Sequence, residues 1–262
     1  EDLTQRYRKP CIWRTSFTNA QLAAAMGKYL AESGFSEGVY VLAPDYAAGT
    51  EVITGFTRAF EAGGGRVVGS AQTPFGTTSD YQPFLAAIPR SGARATFCFY
   101  SGAEAIAFVR QYAQFGLARS IPLYGSGFLT EGNVLAQQGD AALGVYGTLH
   151  YSDQLDNPAN IAFVEAYRAR YGETPSCFSV QAYDAANVLD RALRAAGTTT
   201  GEALARALSE IGTIDDSPRG PWSFDGQTPR QNIYLRRVER QGGQLVNTVV
   251  ADLGLHSQPV AA

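Results

Sequence analysis

The chain has 262 residues, a formal net charge of −3 and a hydrophobic content of 45%, enough apolar material for one large α/β unit or two lobes. Its basic residues are scattered arginines with only two lysines, Lys9 and Lys28, so the basic stripe of a nucleic-acid-binding protein is absent. No apolar run approaches the length of about 20 residues that spans a membrane.

Apolar spacing predicts alternating helices and strands over the first 150 residues. The predicted helices cover residues 20–34, 50–64, 80–92 and 103–116. The predicted strands cover residues 38–43, 66–73, 95–100, 121–127 and 144–151. Strands that alternate with helices on short loops indicate a parallel sheet covered on both faces.

The pattern changes after residue 150. Three helices are predicted in succession at 157–172, 179–197 and 201–212, followed by two alternating strands around Gln241-Gly242-Gly243, a hairpin turn signal. Residues 151–234 are therefore expected to be helical and poor in strands, as part of a second lobe. Helices of this kind normally cover a sheet, and few strands are left here to cover.

The sequence lacks the motifs of nucleotide binding and catalysis. VLAPDYAAGTE has the order strand, loop, helix, but it holds one glycine, Gly49, and an aromatic ring where a dinucleotide needs backbone room. His150 ends a predicted strand and is expected to be structural. Ser126 in YGSGF lacks the spacing of a nucleophile elbow, and the three cysteines lack metal-site spacing. The sequence therefore predicts a binding protein, not an enzyme, with no cofactor or metal.

Three predicted strands end in aromatic or hydroxyl residues beside small ones. In an open parallel sheet, ligands bind beyond the carboxyl ends of the strands. Rings, hydroxyls and helix N-termini at that edge favour a planar anion. Any one ring is as consistent with a core position, but the coincidence at successive strand ends favours a site. The candidate residues are Tyr46, Phe99, Tyr100, Ser101, Ser126, Gly127 and Phe128.

An ordered set of segments resembles the type I periplasmic binding proteins, and more closely the leucine/isoleucine/valine-binding branch that feeds ABC importers. The resemblance runs from about residue 11 to about residue 253 and includes RTSFTNAQLAAAMGKYL, VLAPDYAAGTE, FYSGAEAIAFVRQYAQFGL, IPLYGSGFLTEGNVL and GPWSFD. It implies two doubly wound α/β lobes with a parallel sheet each and a ligand trapped between them. It also implies a periplasmic location and an ABC permease in the inner membrane as partner.

The same resemblance implies the domain organisation. Residues 18–150 with 235–255 would form an essentially complete second lobe, residues 1–17 with 151–234 the hinge and the remnant of the first lobe, and residues 256–262 a tail. The family has a long stretch before the RTSFTN segment, so the first lobe is expected to be incomplete in this chain. An incomplete sheet exposes an apolar face and an unpaired edge, so a homodimer or a complementing N-terminal segment is expected to cover it.

The resemblance also bears on the ligand. Family members that take amino acids usually offer an acidic residue to the ammonium group, and the aligned position here is Gly127, followed by Phe128. An unpaired ammonium in a dry site is costly, and the YSGAEA and GSGFLTEG segments resemble members that bind aromatic acids. The expected ligand is a small aromatic carboxylate with its ring near Tyr46, Phe99 or Tyr100, and Phe128. The sequence leaves open a branched-chain amino acid binder, a ligand sensor of the same fold and a truncated chain that binds nothing.

Overall fold

The computed structural model describes residues 1–260, which form two compact units. Unit 1 comprises Glu1–Thr18, His150–Ile233 and the residues from Gly254 onward, and unit 2 comprises Asn19–Leu149 and Tyr234–Leu253. None of the helices formed by residues 1–260 combines the length and the apolar character that crossing a bilayer requires.

Unit 2 is built on the parallel sheet predicted from the sequence. Its strands stand in the order β2-β1-β3-β4-β5-β8, and the first five pair in parallel. The long β8 lies next to β5 in this sheet, and its residues Tyr234–Arg237 run antiparallel to β5. The bounds are β1 Val39–Pro44, β2 Val67–Thr73, β3 Ala95–Cys98, β4 Leu123–Ser126, β5 Tyr146–Leu149 and β8 Thr228–Gln241.

The helices of unit 2 follow the predicted order, except that one predicted helix is interrupted and the helix Asn133–Gln138 was not predicted. Their bounds are α1 Asn19–Glu32, α2 Ala47–Ala62, α3 Gln82–Leu85, α4 Ala87–Arg90, α5 Gly102–Gln114 and α6 Asn133–Gln138. The single helix predicted at 80–92 is therefore two short helices. Pro89 lacks an N–H that could donate to the carbonyl of Leu85, which interrupts the hydrogen-bond ladder between them.

The two faces of this sheet carry separate apolar clusters. Side chains alternate in direction along a strand, so Tyr40 and Leu42 of β1 join one cluster while Val41 joins the other. One cluster includes the rings of α5, among them Phe108, and the other those of α2, where Phe56 stacks on Phe97 with ring centroids 4.0 Å apart. Strands β1, β3 and β4 are thus buried from both sides, as their apolar sequences predict, whereas the edge strand β2 is mostly half-buried or exposed.

Unit 1 contains three long helices and short antiparallel strands. The helices are α7 Pro158–Tyr171, α8 Cys177–Ala196 and α9 Gly201–Ser209. The strands are β6 Thr213–Ile214, β7 Trp222–Asp225 and the first residues of β8, and each neighbouring pair is antiparallel. Strands β6 and β7 were not predicted from the sequence. Strand β9, Gln244–His256, pairs with β8 after the predicted turn.

Local sequence signals explain where the helices of unit 1 begin and end. The side chain of Asn157 accepts a hydrogen bond from the backbone N–H of Asn160 at 2.8 Å at the start of α7, and Ser176 and Ser179 form a capping box on α8. Gly172 ends α7 in the left-handed region, with φ of 71°, where glycine meets no Cβ penalty.

The residues after β9 lie against the start of the chain within unit 1. The Gln258 side-chain oxygen accepts hydrogen bonds from the hydroxyls of Thr4 and Thr228 at 3.0 and 2.8 Å. The Gln5 amide donates to the carbonyl of Pro259. Part of the predicted tail is therefore hydrogen-bonded; residues 261 and 262 of that tail lie outside the described residues.

Candidate functional site

The loop from β1 to α2 brings Tyr46 to the carboxyl edge of the unit 2 sheet. The backbone N–H of Asp45 donates to the carbonyl of Thr73 at 2.7 Å, which ties this loop to the end of β2. Gly49 is required in the first turn of α2, since a Cβ there would lie 2.0 Å from the carbonyl oxygen of Pro44. The single glycine of PDYAAGTE therefore serves close packing of helix against strand.

The ring of Tyr46 is half-buried between other aromatic residues. It stacks on Phe75 with ring centroids 4.2 Å apart and planes 15° apart, and its centroid lies 6.3 Å from that of Phe99. Burial raises the pKa of the Tyr46 hydroxyl, and the negative charges of Glu104 and Glu51 raise it further. The hydroxyl is therefore protonated at neutral pH, and the negative charges of Glu104 and Glu51 influence this part of the sheet edge.

Phe99 and Tyr100 do not occupy the rim positions predicted for them. Both side chains are buried, on opposite faces of the sheet. Tyr100 packs on Phe108 with centroids 4.4 Å apart and shares a buried hydrogen bond with the hydroxyl of Thr73 at 3.3 Å. Burial raises the pKa of Tyr100 strongly. The structure therefore places both rings in the interior of unit 2, and their contact with a ligand stays a prediction.

The two candidate serines differ in exposure. Ser101 is exposed at the N-cap of α5, and within the described chain its side chain makes no capping hydrogen bond to that helix. Ser126 ends β4, and its hydroxyl is buried with no hydrogen-bond partner among residues 1–260. A buried polar group without a partner is unusual, and both hydroxyls lie at carboxyl ends of parallel strands.

Gly127 and Phe128 begin the short 3-10 helix Gly127–Thr130 after β4. Gly127 is buried, and a Cβ there would lie 2.5 Å from Cδ1 and 2.8 Å from Cβ of Leu149. A larger residue at this position would require the Leu149 side chain of β5 to shift. Phe128 is half-buried and packs against the cluster that includes Phe56 and Phe97.

Phe75 and Glu104 also lie at this edge and were not predicted from the sequence. Phe75 follows β2, which runs parallel to β1, so both strands end at the same edge of the sheet. Because ligands bind beyond the carboxyl ends of parallel strands, the sequence could have indicated Phe75 as well. The Glu104 carboxylate, in the first turn of α5, accepts a hydrogen bond from the N–H of Gly76 at 3.0 Å. Together with the half-buried Tyr46 they make an aromatic surface beside a carboxylate.

Other parts of the chain offer different features. Cavities of about 500 and 550 Å³ lie in unit 1, the larger one beside Trp13 and Phe224, and neither includes a residue at the strand ends of unit 2. Among residues 1–260, no group of three or more His, Cys, Asp or Glu side chains is arranged to hold a metal ion. His150 is buried and packs against Phe17 with centroids 5.1 Å apart.

Comparison with known families gives a match over nearly the whole chain. The family described as periplasmic binding protein matches residues 2–244. The Leu/Ile/Val-binding protein homolog 6 of Brucella melitensis is 35% identical over 240 residues, which cover 89% of this chain and 60% of that protein. This chain therefore spans less than two thirds of the length of the curated relatives it matches.

Solved structures show the same likeness. A solute-binding protein of an ABC transporter from R. palustris, in complex with benzoate, is 34% identical with a TM-score of 0.85, covering 98% of this chain and 69% of that one. Another, from Rhodopseudomonas palustris BisB5 in complex with 3,4-dihydroxybenzoic acid, is 33% identical with a TM-score of 0.86, covering 98% and 70%. A third, from R. palustris in complex with 4-hydroxybenzoate, is 32% identical with a TM-score of 0.88, covering 98% and 70%.

Proposed function

This chain belongs to the type I periplasmic binding proteins, and we propose that it is the solute-binding component of an ABC importer, acting in the periplasm with an inner-membrane permease. Its ligand is a small aromatic carboxylate. The function is binding without bond-making, because the family and its solved relatives are binding proteins.

The main support for an aromatic carboxylate as the ligand is the environment of Gly127. The resemblance aligns this position with the acidic residue that amino-acid binders offer to an ammonium group. Here the backbone lies against Leu149, so close that even a Cβ would be 2.5 Å from it. A carboxylate at this position would have to displace the Leu149 side chain, and an ammonium left unpaired in a dry site is costly.

The rim residues support a planar ligand. Tyr46 offers a half-buried ring and a protonated hydroxyl, and Ser101 and Ser126 offer hydroxyls at the ends of neighbouring strands. Rings beside a few placed polar groups are typical of small-molecule sites. Relatives at 32–34% identity were crystallised with benzoates, which agrees with this reasoning.

A branched-chain amino acid is the second candidate. The cited curated relatives are named as homologues of a Leu/Ile/Val-binding protein, and the Glu104 carboxylate lies close enough to raise the pKa of Tyr46. That carboxylate accepts the N–H of Gly76 at Oε1, which fixes its position and leaves further acceptor sites for an ammonium group.

Calorimetric titration separates the two candidates. We expect heat of binding with benzoate and 4-hydroxybenzoate and none with leucine. The variant Tyr46→Ala should weaken benzoate binding, whereas Tyr171→Ala, which removes an exposed ring on α7 of unit 1, should leave it unchanged. Leucine binding without benzoate binding would show that the proposed ligand class is wrong, and absence of both would exclude both candidate ligand classes for this chain.

The expected homodimer or complementing N-terminal segment remains a proposal. Large apolar side chains are exposed on the helices of unit 1, including Tyr171 of α7 and Phe178 and Leu189 of α8. Exposed apolar surface of this kind is typical of contact sites. Light scattering of the purified chain tests self-association, and a monomer at all concentrations would exclude the homodimer.

A further inference from the structure

The loop that carries Phe75 is fixed at several points. Its start is tied to the β1 loop by the hydrogen bond from Asp45 to Thr73, and its middle to α5 by the hydrogen bond from Gly76 to Glu104. Its end is held by Gln111, whose side chain donates to the carbonyl of Ser79 and accepts from the N–H of residue 81. The loop therefore holds the Phe75 ring in place before any ligand arrives.

Phe75 nevertheless keeps much of its ring in solvent. One side of the ring lies parallel to Tyr46 at 4.2 Å, yet 54% of the residue is exposed. The other rings of the edge differ, because Phe99 and Tyr100 are buried and Phe128 packs against the core. Tyr46 is already covered on one side by Phe75, so the open aromatic surface here belongs mainly to Phe75.

We propose that Phe75 is a specificity-determining residue, and that the Tyr46–Phe75 pair is the platform on which the planar ring of the ligand lies. This inference rests on the proposed function and deepens it. Offset-stacked rings attract one another beyond their burial of area, and a platform held by its own loop loses little conformational entropy when the ligand binds.

The charges around the platform set the orientation of the ligand. Glu104 and Glu51 both act on the Tyr46 hydroxyl, and Asp45 is exposed beside it. A carboxylate placed against this platform would meet like charges. The ring of an aromatic acid therefore lies on Phe75 with its carboxylate directed away from Glu104.

An exposed phenylalanine is not in itself informative, since single apolar side chains are common on surfaces. Phe115 of the same unit is also exposed, at 44%, but it caps the far end of α5. It therefore provides a matched control for Phe75, with the same side chain and similar exposure, at the end of α5 opposite to the one that the Phe75 loop contacts.

The test compares Phe75→Ala, Phe75→Tyr and Phe115→Ala by calorimetry with benzoate and 4-hydroxybenzoate. We expect Phe75→Ala to weaken both about 3- to 10-fold, the range of one lost stacking contact. Phe75→Tyr, which keeps the ring, should bind within about 2-fold of the parent chain, as should Phe115→Ala. Equal affinities of Phe75→Ala and the parent chain would overturn the inference.

A second measurement does not depend on the ligand's carboxylate. Saturation-transfer NMR with benzyl alcohol, a neutral aromatic probe, should show transfer from the parent chain and from Phe115→Ala, and a clear loss in Phe75→Ala. If benzoates fail to bind while this difference is seen, the proposed function is wrong and the platform stands. If transfer is absent in the parent chain or unchanged in Phe75→Ala, the platform is wrong.

Discussion

The buried ion pair of unit 1 offers a quantitative test of the structure. Asp184 of α8 lies 2.8 Å from Nε of Arg219, and both side chains are only 1% exposed. The carboxylate also accepts a hydrogen bond from the Ser217 hydroxyl at 2.8 Å. The guanidinium donates to Gln231 at 2.7 Å and lies 4.2 Å above the Trp222 ring. The substitution Asp184→Asn keeps the shape of the side chain but removes its charge.

Loss of the Asp184 charge leaves a buried cation uncompensated, and breaking a buried pair in this way costs about 3–5 kcal/mol. That is a large part of the 5–15 kcal/mol that is usual for a folded domain. With a urea m-value of about 2 kcal/mol per molar, a loss of about 4 kcal/mol lowers the unfolding midpoint by about 2 M.

The assay is urea unfolding followed by tryptophan fluorescence. The chain has two tryptophans, Trp13 and Trp222, and both lie in unit 1, so the signal reports the unit that contains the pair. The control is Asp190→Asn on the same helix, whose pair with Arg194 has side chains 58% and 78% exposed; we expect no measurable shift, because exposed pairs contribute little. The reasoning fails if the midpoint of Asp184→Asn falls no further than that of the control.

Removing both charges should be less harmful than removing one. Burial raises the pKa of Asp184 in spite of the opposing effect of Arg219, so the ion pair does not fully offset the desolvation of the carboxylate. The double variant Asp184→Leu with Arg219→Met is therefore expected to recover much of the stability lost in Asp184→Asn. A double variant less stable than Asp184→Asn would contradict this account of the desolvation cost.

Two further predictions concern unit 2. Gly127→Asp should destabilise the chain by about 1–3 kcal/mol, the usual cost of overpacking, and should not confer leucine binding. Thermal melting measures the stability and calorimetry measures the binding. The control is Gly201→Ala, which should melt like the parent chain because a Cβ there meets nothing within 4 Å. Tyr100→Phe should cost about 1 kcal/mol through the lost hydrogen bond to Thr73 but leave benzoate affinity unchanged, since the ring is interior; weaker benzoate binding by this variant would return Tyr100 to the site.

The secondary structure of unit 2 was largely predictable because its signals are local. Apolar runs between glycines and polar loops predict the parallel strands, and three- and four-residue spacing predicts the helices between them. The helix predicted at 80–92 is divided at Ala86, one residue after Leu85, whose carbonyl receives no hydrogen bond from Pro89. The strands β6 and β7 were missed because a strand of two to four residues shows too few alternations to be recognised.

The sequence by itself determined the order of strands and helices in unit 2 and the edge of the sheet at which Tyr46, Ser101 and Ser126 lie, because chain direction decides where parallel strands end. Only the tertiary structure decided that Tyr100 turns inward while Phe75 lies open on Tyr46, since a side chain beyond the end of a strand is directed by the helices and loops packed around it. The pairing of Asp184 with Arg219 likewise joins two segments far apart in the chain. Such contacts depend on distance in space, which the spacing of residues along a sequence does not encode.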